Sequence, residues 1–420
     1  MSITSRKLMA SLMRIFTAAL FALFILFDTY TWGKYVFLLL SACVFVLGLI
    51  LNHGKVKFKI NAYAVLNILV ICFVFASSLW AIQPSDSVIM GRTLLRTFVC
   101  AYAVYTTYIN LHELNISVLL KAVMWAGYFV AIYALIFYGM DRMLAAGSDS
   151  SLRVDNEFSN VNTIGLACSL SCVIQINLKF IDSKTRLFPS VLFMIPSIVV
   201  MSATQSRKAF VFLIVGILGC VFVRAQELHK GLFIKTLKVL FWISILALII
   251  YGFLQLEVFD GIRERMEGIL DAVLGNGKVD HSTMVRNDLR SLGLEWFLKY
   301  PFGGVGIANP HILAAKFLNF DAYLHDNFVE MLCGGGIVGF CLYYAMYIYL
   351  FRQLWKYRNV DRRRTAFFIL WLLLMLAMNY GMVTYYSKSQ NFYLMIHFIN
   401  VIDLRRTARS ICRSENMQLH

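Results

Sequence analysis

Apolar runs approaching twenty residues recur along this chain, among them 16–27, 36–51, 122–139 and 209–223. They limit its fold more than any other feature. Inside a bilayer every backbone N–H and C=O must be satisfied within the protein, so only helices and closed barrels can cross. Runs of this length without apolar-polar alternation are helical spans, each needing ~20 residues. With 60% hydrophobic residues and mean hydropathy +0.69, the expected fold class is an all-α polytopic membrane protein. About twelve spans are expected, near 11–27, 34–51, 62–80, 94–110, 118–140, 162–180, 187–202, 207–224, 235–254, 326–351, 364–385 and 390–404.

The first span follows Arg6, Lys7 and Arg14 and precedes no small-residue cleavage site, so it is expected to be an anchor and not a removed leader. Orientation follows from the basic residues. With both termini in the cytoplasm, that side receives most of the 39 Lys and Arg, including Lys55, Lys57, Lys59 and Arg362 to Arg364. This excess supplies much of the net charge of +16 and points to lipid headgroups. No basic tract interleaved with stacking aromatics suggests nucleic acid. The nine cysteines fall almost entirely within expected spans and form no CxxC pair, so neither disulfides nor a metal cluster is expected.

The organisation expected is 1–254 as nine spans, 255–325 as one large outward loop, 326–404 as three spans and 405–420 as a cytoplasmic tail. A loop of that length is usually functional or disordered, and its aromatics and glycines argue against disorder. The outward face collects Arg92, Arg96, Arg142, Arg153, Arg207, Arg286 and Arg290, with His281, His311 and His325. Guanidinium groups grip phosphate oxygens bidentately, so this arginine excess points to an anionic, phosphorylated lipid; salt bridges within the loops are the competing explanation. Arg207 sits in Thr204-Gln205-Ser206-Arg207, a short link between apolar runs, where snorkelling alone leaves the neighbouring hydrogen-bonding groups unexplained. His325, in His325-Asp326-Asn327, has the side chain suited to moving a proton near neutrality, with Asp326 or Asn327 able to orient its ring. A polar interfacial histidine is the plainer explanation. Asp155-Asn156-Glu157, beside Arg153, reads as ion-paired or solvated carboxylates and not as a cation site. Gly303-Gly304-Val305-Gly306 lacks the βαβ context of a dinucleotide fingerprint and reads as a tight turn.

Four patterns together resemble the O-antigen polymerase and O-antigen ligase superfamily. They are Ser78-Leu79-Trp80-Ala81 with Pro84, Thr204-Gln205-Ser206-Arg207, Arg286 with Tyr300-Pro301-Phe302-Gly303-Gly304-Val305-Gly306, and His325-Asp326-Asn327 with Glu330 and Gly335-Gly336-Ile337. The superfamily usually has His-Asn at the last motif, and this chain inserts Asp326 between them, which puts the role of Asn327 in question. The resemblance implies a multi-span (GT-C type) glycosyltransferase of the bacterial inner membrane, using undecaprenyl-pyrophosphate-linked glycans as donor and acceptor. It implies inverting transfer without cofactor or metal, with His325, Arg207 and Arg286 catalytic and Arg96, Arg153, Arg290 and Asn327 binding substrate. The run Glu330 to Gly339 resembles polymerases more than ligases, and a chain-length regulator would then be a further partner. The ligase, which passes the glycan to the lipid A core, stays open as the alternative. A lipid-linked oligosaccharide flippase is the reading from another class, but it should carry charge near the midplane and repeat symmetry between halves. Here the charges gather on one face and no internal repeat is seen.

The charge asymmetry makes one testable expectation. A cysteine introduced beside Lys278 should react with an impermeant reagent from the outer face of the inner membrane, and one beside Arg363 should not. Labelling near Lys278 only after the inner membrane is permeabilised would reverse the topology.

Overall fold

The computed structural model describes residues 3–27, 30, 32–111, 116–152, 154, 159–181, 194–227, 255–264 and 281–418, with scattered single positions among 192–252. In chain order its α-helices are α1 (Ile3–Leu26), α2 (Gly33–Leu51), α3 (Ala62–Ser77), α4 (Pro84–Asn110), α5 (Ile116–Tyr138), α6 (Met140–Ser148) and α7 (Val161–Ile181), followed by α8 (Ile195–Thr204) and α9 (Arg207–Glu227). The remainder are α10 (His281–Lys299), α11 (Pro310–Leu318), α12 (Asn327–Lys356), α13 (Arg362–Asn379) and α14 (Lys388–Gln418). The described residues contain no strand. Among the described residues, six helices are long and apolar enough to cross a membrane by length and composition: α1, α2, α4, α5, α7 and α12.

Several expected boundaries move, each for a physical reason. The fourth span was expected from residue 94, where the apolar run begins, but α4 starts at Pro84, whose fixed φ and missing N–H suit a first helical turn. Arg92 and Arg96 therefore lie two to three turns inside the helix. The eleventh was expected to reach 385, but α13 stops at Asn379, and 380–387 form a turn. The twelfth continues as helix to Gln418, through the residues expected to be a tail. The ninth expected span lies almost wholly outside the described residues, as does the first half of the seventh.

The largest difference is in the expected outward loop, which contains α10 and α11. Val285, Leu289, Leu292 and Trp296 recur at helical spacing, and with Val305, Leu313, Ala314, Leu324, Val329 and Cys333 they form one apolar cluster. Each such fully buried side chain is worth ~1.5–3 kcal/mol, which is enough to hold a short helix that would be marginal alone.

The chain divides into two compact units. The first comprises 1–40, 117–278 and 361–374. Within it α7 packs against α9 and α8, and α6 packs against α8 and the single turn Glu257–Phe259. Gly216 of α9 lies against Val173 of α7, where an added Cβ would come within 2.5 Å of the valine methyl.

The second unit comprises 41–116, 279–360 and 375–420. In it α3 packs on α4 and α12, α4 on α14, and α10 on α12. At one end Lys57 and Lys59 meet Asn110 and Tyr102, and Arg406 donates to the Ile109 carbonyl. The opposite end, about 40 Å away along α4 at 1.5 Å per residue, gathers the residues of the SLWA, YPFGGVG and HDN patterns.

That end is assembled backbone to backbone. α12 breaks at Gly336, which has φ +59 and ψ −165. An unbroken helix would bond Ile337 N–H to the Cys333 carbonyl. Here Ile337 and Val338 donate to the Pro301 and Phe302 carbonyls, and the Cys333 carbonyl accepts from Val305 N–H. Trp80 Nε1 donates to the Gly303 carbonyl, Ser87 Oγ to the Ile307 carbonyl, and Ile307 N–H to Ser77 Oγ. Only glycine fits the contact. A Cβ at Gly336 would stand 2.2 Å from the Phe302 carbonyl oxygen, in a conformation that L side chains rarely adopt. Gly336→Ala should cost at least about 2 kcal/mol from strain and clash, read as a lowered midpoint of thermal unfolding in detergent. Gly252, with nothing among the described residues within 4 Å of its Cβ position, is the control, and its alanine variant should melt no lower than the parent.

Candidate functional site

His325 lies on the connection between α11 and α12, with its backbone in the left-handed region at φ +56. For a non-glycine residue this conformation persists only where the surroundings hold it. The surroundings here do. One residue back, Leu324 is buried in the apolar cluster, and its N–H is bound by the Glu330 carboxylate at 2.9 Å. One residue on, Asp326 caps α12, accepting from Phe328 N–H at 2.9 Å and Val329 N–H at 3.2 Å. An N-cap of this kind is worth ~1 kcal/mol. The half-buried imidazole lies against Tyr323, ring centroids 4.3 Å apart.

Tyr323 links the histidine to Arg286. Burial raises its hydroxyl above the usual tyrosine value, and the Arg286 charge, close enough to act on it, pulls the other way. Arg286 is half-buried on α10, and Arg290 follows one turn later on the same helix. The structure thus brings His325, Arg286 and Arg290, read separately in the sequence, to one end of the second unit. Arg290 is tied in place: it pairs with Asp326 and donates to both Tyr380 Oη and the Tyr380 carbonyl.

Asn327 spends most of its hydrogen-bonding capacity within the protein. It is fully buried; its Oδ1 accepts from Thr384 and Tyr385 N–H, and its Nδ2 donates to Tyr344 Oη. It fastens α12 to the turn after α13. Arg96 is half-buried in α4, ~18 Å along the helix from Pro84, and its Nε has no hydrogen-bond partner among the described residues. Arg153 and Asp155-Asn156-Glu157 lie outside the described residues.

The remaining motif belongs to the first unit. Thr204 ends α8, Gln205 takes a left-handed turn at φ +47, and Arg207 opens α9. Gln205 Nε2 donates to the Ala146 and Asp149 carbonyls, each at 2.8 Å, and Ser206 Oγ donates to Asn162 Oδ1 at 3.0 Å. The polar neighbours that set Arg207 apart in the sequence therefore hold this link against α6 and α7. Arg207 itself, half-buried with Lys208 beside it, adds its charge to the positive end of α9.

Sequence reasoning passed over a second histidine cluster. His311, in the first turn of α11, sets Nδ1 2.9 Å from Asp321 and Nε2 3.1 Å from Asp86. Its only sequence signal is an acidic residue at the start of each of two segments. A cavity of about 30 Å3 lined by Tyr108, Ile399, Asp403 and Arg406 lies at the far end of this unit and has room for a water molecule, not a glycan.

Six described helices long and apolar enough to cross a membrane point to a polytopic membrane protein, with arginines and a histidine gathered at one end of its second unit. Residues 192–344 match the family described as O-antigen ligase, a similarity that supports the resemblance to the O-antigen ligase and polymerase superfamily. The match runs from α8 into α12 and takes in Arg207, Arg286, the YPFGGVG turn and His325; Trp80 and Pro84 lie outside it. A comparison with curated proteins gave no match.

The His311 cluster carries a pH expectation. Burial lowers the histidine's proton affinity, but hydrogen bonds and charge from Asp321 and Asp86 outweigh it and raise the value above the ordinary 6.5. The raised folded value means that the clasp contributes fully below pH 6.5 and fades as pH climbs through the folded value. Melting from about pH 5.5 to 8.5 should show the parent losing its advantage over His311→Gln as pH rises. A constant difference would rule the protonated clasp out.

Proposed function

We propose that this protein polymerises undecaprenyl-pyrophosphate-linked oligosaccharide repeat units on the periplasmic face of the bacterial inner membrane, with both termini cytoplasmic. The observation carrying this reading is Tyr323, which has the His325 ring on one side and the Arg286 charge within reach, inside a stretch matching the O-antigen ligase family. His325 takes the proton of the acceptor sugar hydroxyl as that oxygen attacks the donor's anomeric carbon. The bond from that carbon to the pyrophosphate oxygen breaks on the opposite face, so the configuration inverts, and lipid pyrophosphate leaves with the electron pair. Arg207 and Arg286 neutralise that leaving group, whose charge grows as the bond breaks, so fixed guanidinium groups act most strongly in the transition state. Arg96 and Arg153 contribute positive charge to donor binding. No metal takes part.

The second reading, transfer of the finished glycan to the lipid A core, is favoured by the description of the matched family. The run Glu330 to Gly339 favours the polymerase. Both share one chemistry and differ in acceptor. A multi-span GT-C type architecture and a chain-length regulator as partner belong to the polymerase reading.

Purified protein with lipid-linked repeat units and chelator should form polymer. His325→Ala should lose ~10²-fold or more, the contribution typical of a positioned base, while still binding donor. Arg207→Lys and Arg286→Lys should also fail, since a point charge does not reproduce the guanidinium fork. An active His325→Ala enzyme, or loss of parent activity on chelation, would overturn the mechanism. Product formed only when lipid A core is supplied would keep the mechanism and make the protein a ligase.

A further inference from the structure

Each of the three guanidinium nitrogens of Arg290 has a partner within the protein. Its Nε stands 3.2 Å from Asp326 Oδ2, at an angle that makes the contact an ion pair and not an aligned hydrogen bond. Nη1 donates to Tyr380 Oη at 3.2 Å and Nη2 to the Tyr380 carbonyl at 2.8 Å. The guanidinium plane lies over the Tyr380 ring, 4.1 Å from its centroid. The Arg290 and Asp326 side chains are 18% and 3% exposed. A cation held in this way has little left with which to grip a pyrophosphate.

The same contacts converge on the residue after His325. Asp326 uses Oδ1 to cap α12 and presents Oδ2 to Arg290, so its position is set from two directions. Its backbone follows the left-handed His325 directly. Burial raises the Asp326 carboxyl above its usual range, opposed by the helix N–H groups and Arg290, so losing Arg290 would weaken the charge on which the cap relies. Tyr380 lies just before Thr384 and Tyr385, which Asn327 holds. One arginine therefore joins α10, the start of α12 and the turn after α13 around the histidine.

Resting on His325 as the acceptor base, we propose that Arg290 is a positioning residue, not a donor ligand: through Asp326, the residue that separates His325 from Asn327 here, it fixes the backbone that aims the imidazole at the acceptor. Misplacing a catalytic group by about 1 Å can cost ~10²-fold in rate without changing how substrate binds.

The test measures kcat and donor KM with purified full-length protein and lipid-linked repeat units. Arg290→Lys keeps the charge and loses the fork and the stack; Asp326→Asn keeps a capping oxygen and loses the charge. Each should lower kcat by about tenfold or more while donor KM stays within about twofold. The double variant should be no worse than the weaker single, because both break one contact. Tyr380→Leu guards against misfolding, since Tyr380 is 62% exposed and neither charge is touched; it should lower kcat several-fold at unchanged donor KM. A steep rise in donor KM with kcat retained in Arg290→Lys would overturn the proposal, as would losses that multiply in the double variant or parental kcat in Tyr380→Leu. These outcomes are separable from the reading beneath them. An active His325→Ala enzyme removes the base, whereas multiplicative losses in an enzyme that still needs His325 remove only the positioning role.

Discussion

The end of the second unit that carries His325 depends on one exchange of backbone hydrogen bonds. Gly336 breaks the ladder of α12, and a broken ladder beside lipid leaves groups whose burial unsatisfied costs several kcal/mol each. The Pro301 and Phe302 carbonyls take the released N–H groups, and Val305 supplies the Cys333 carbonyl in return. This seats the YPFGGVG turn against the helix at a distance no Cβ would permit. The turn fixes where α10 ends and α11 begins, and the cluster between them buries Leu324 and so anchors the strained His325 segment. The glycines of two motifs far apart in sequence are two halves of one contact. Trp80, Ser77 and Ser87 clamp it from α3 and α4, which accounts for a third motif.

Much of this architecture could be read from the chain, because long apolar runs have few options in a bilayer. The helices expected near 34–51, 118–140 and 326–351 are close to those observed. Boundaries failed where an apolar run and a helix are different things: α4 begins ten residues before its apolar stretch, and α14 runs well past the end of its own. The helix α10 was legible in the spacing of Val285, Leu289, Leu292 and Trp296, but a search for strands and apolar runs passes over an amphipathic helix of low overall hydropathy. The run Gly303 to Gly306 was read as a tight turn; it is one, and it packs against the break in α12.

The site was legible in its residue types and less so in its division of labour. Arginines and histidines on one side of a membrane protein stand out by charge alone, and three of them, Arg286, Arg290 and His325, do lie in one region. Which arginine holds structure and which is available to substrate depends on partners remote in sequence. Tyr380 is ninety positions from Arg290, and no local pattern marks it. Asn327 shows the same limit: its bonds to Thr384 and Tyr385 follow from where α13 stops, not from its neighbours. Likewise Thr204, Gln205 and Ser206, whose polarity suggested a ligand, are consumed by the left-handed link they stabilise.

The arrangement also explains how so much charge can be buried at the start of α12. Asp326, Glu330 and Arg290 would each be costly there alone. The start of α12 offers unsatisfied N–H groups and the positive end of a helix dipole, and Asp326 answers both. Glu330, one turn inside, reaches back to Leu324 N–H much as a capping box would. Arg290 then balances Asp326 from a different helix. Each charge satisfies a backbone or ionic need created by the helix terminus, so the cluster is stable without a ligand. What it holds rigid is the segment between two of these anchors, Leu324 and Asp326. His325 is the residue between them, and its ring is the group on that segment left facing Tyr323.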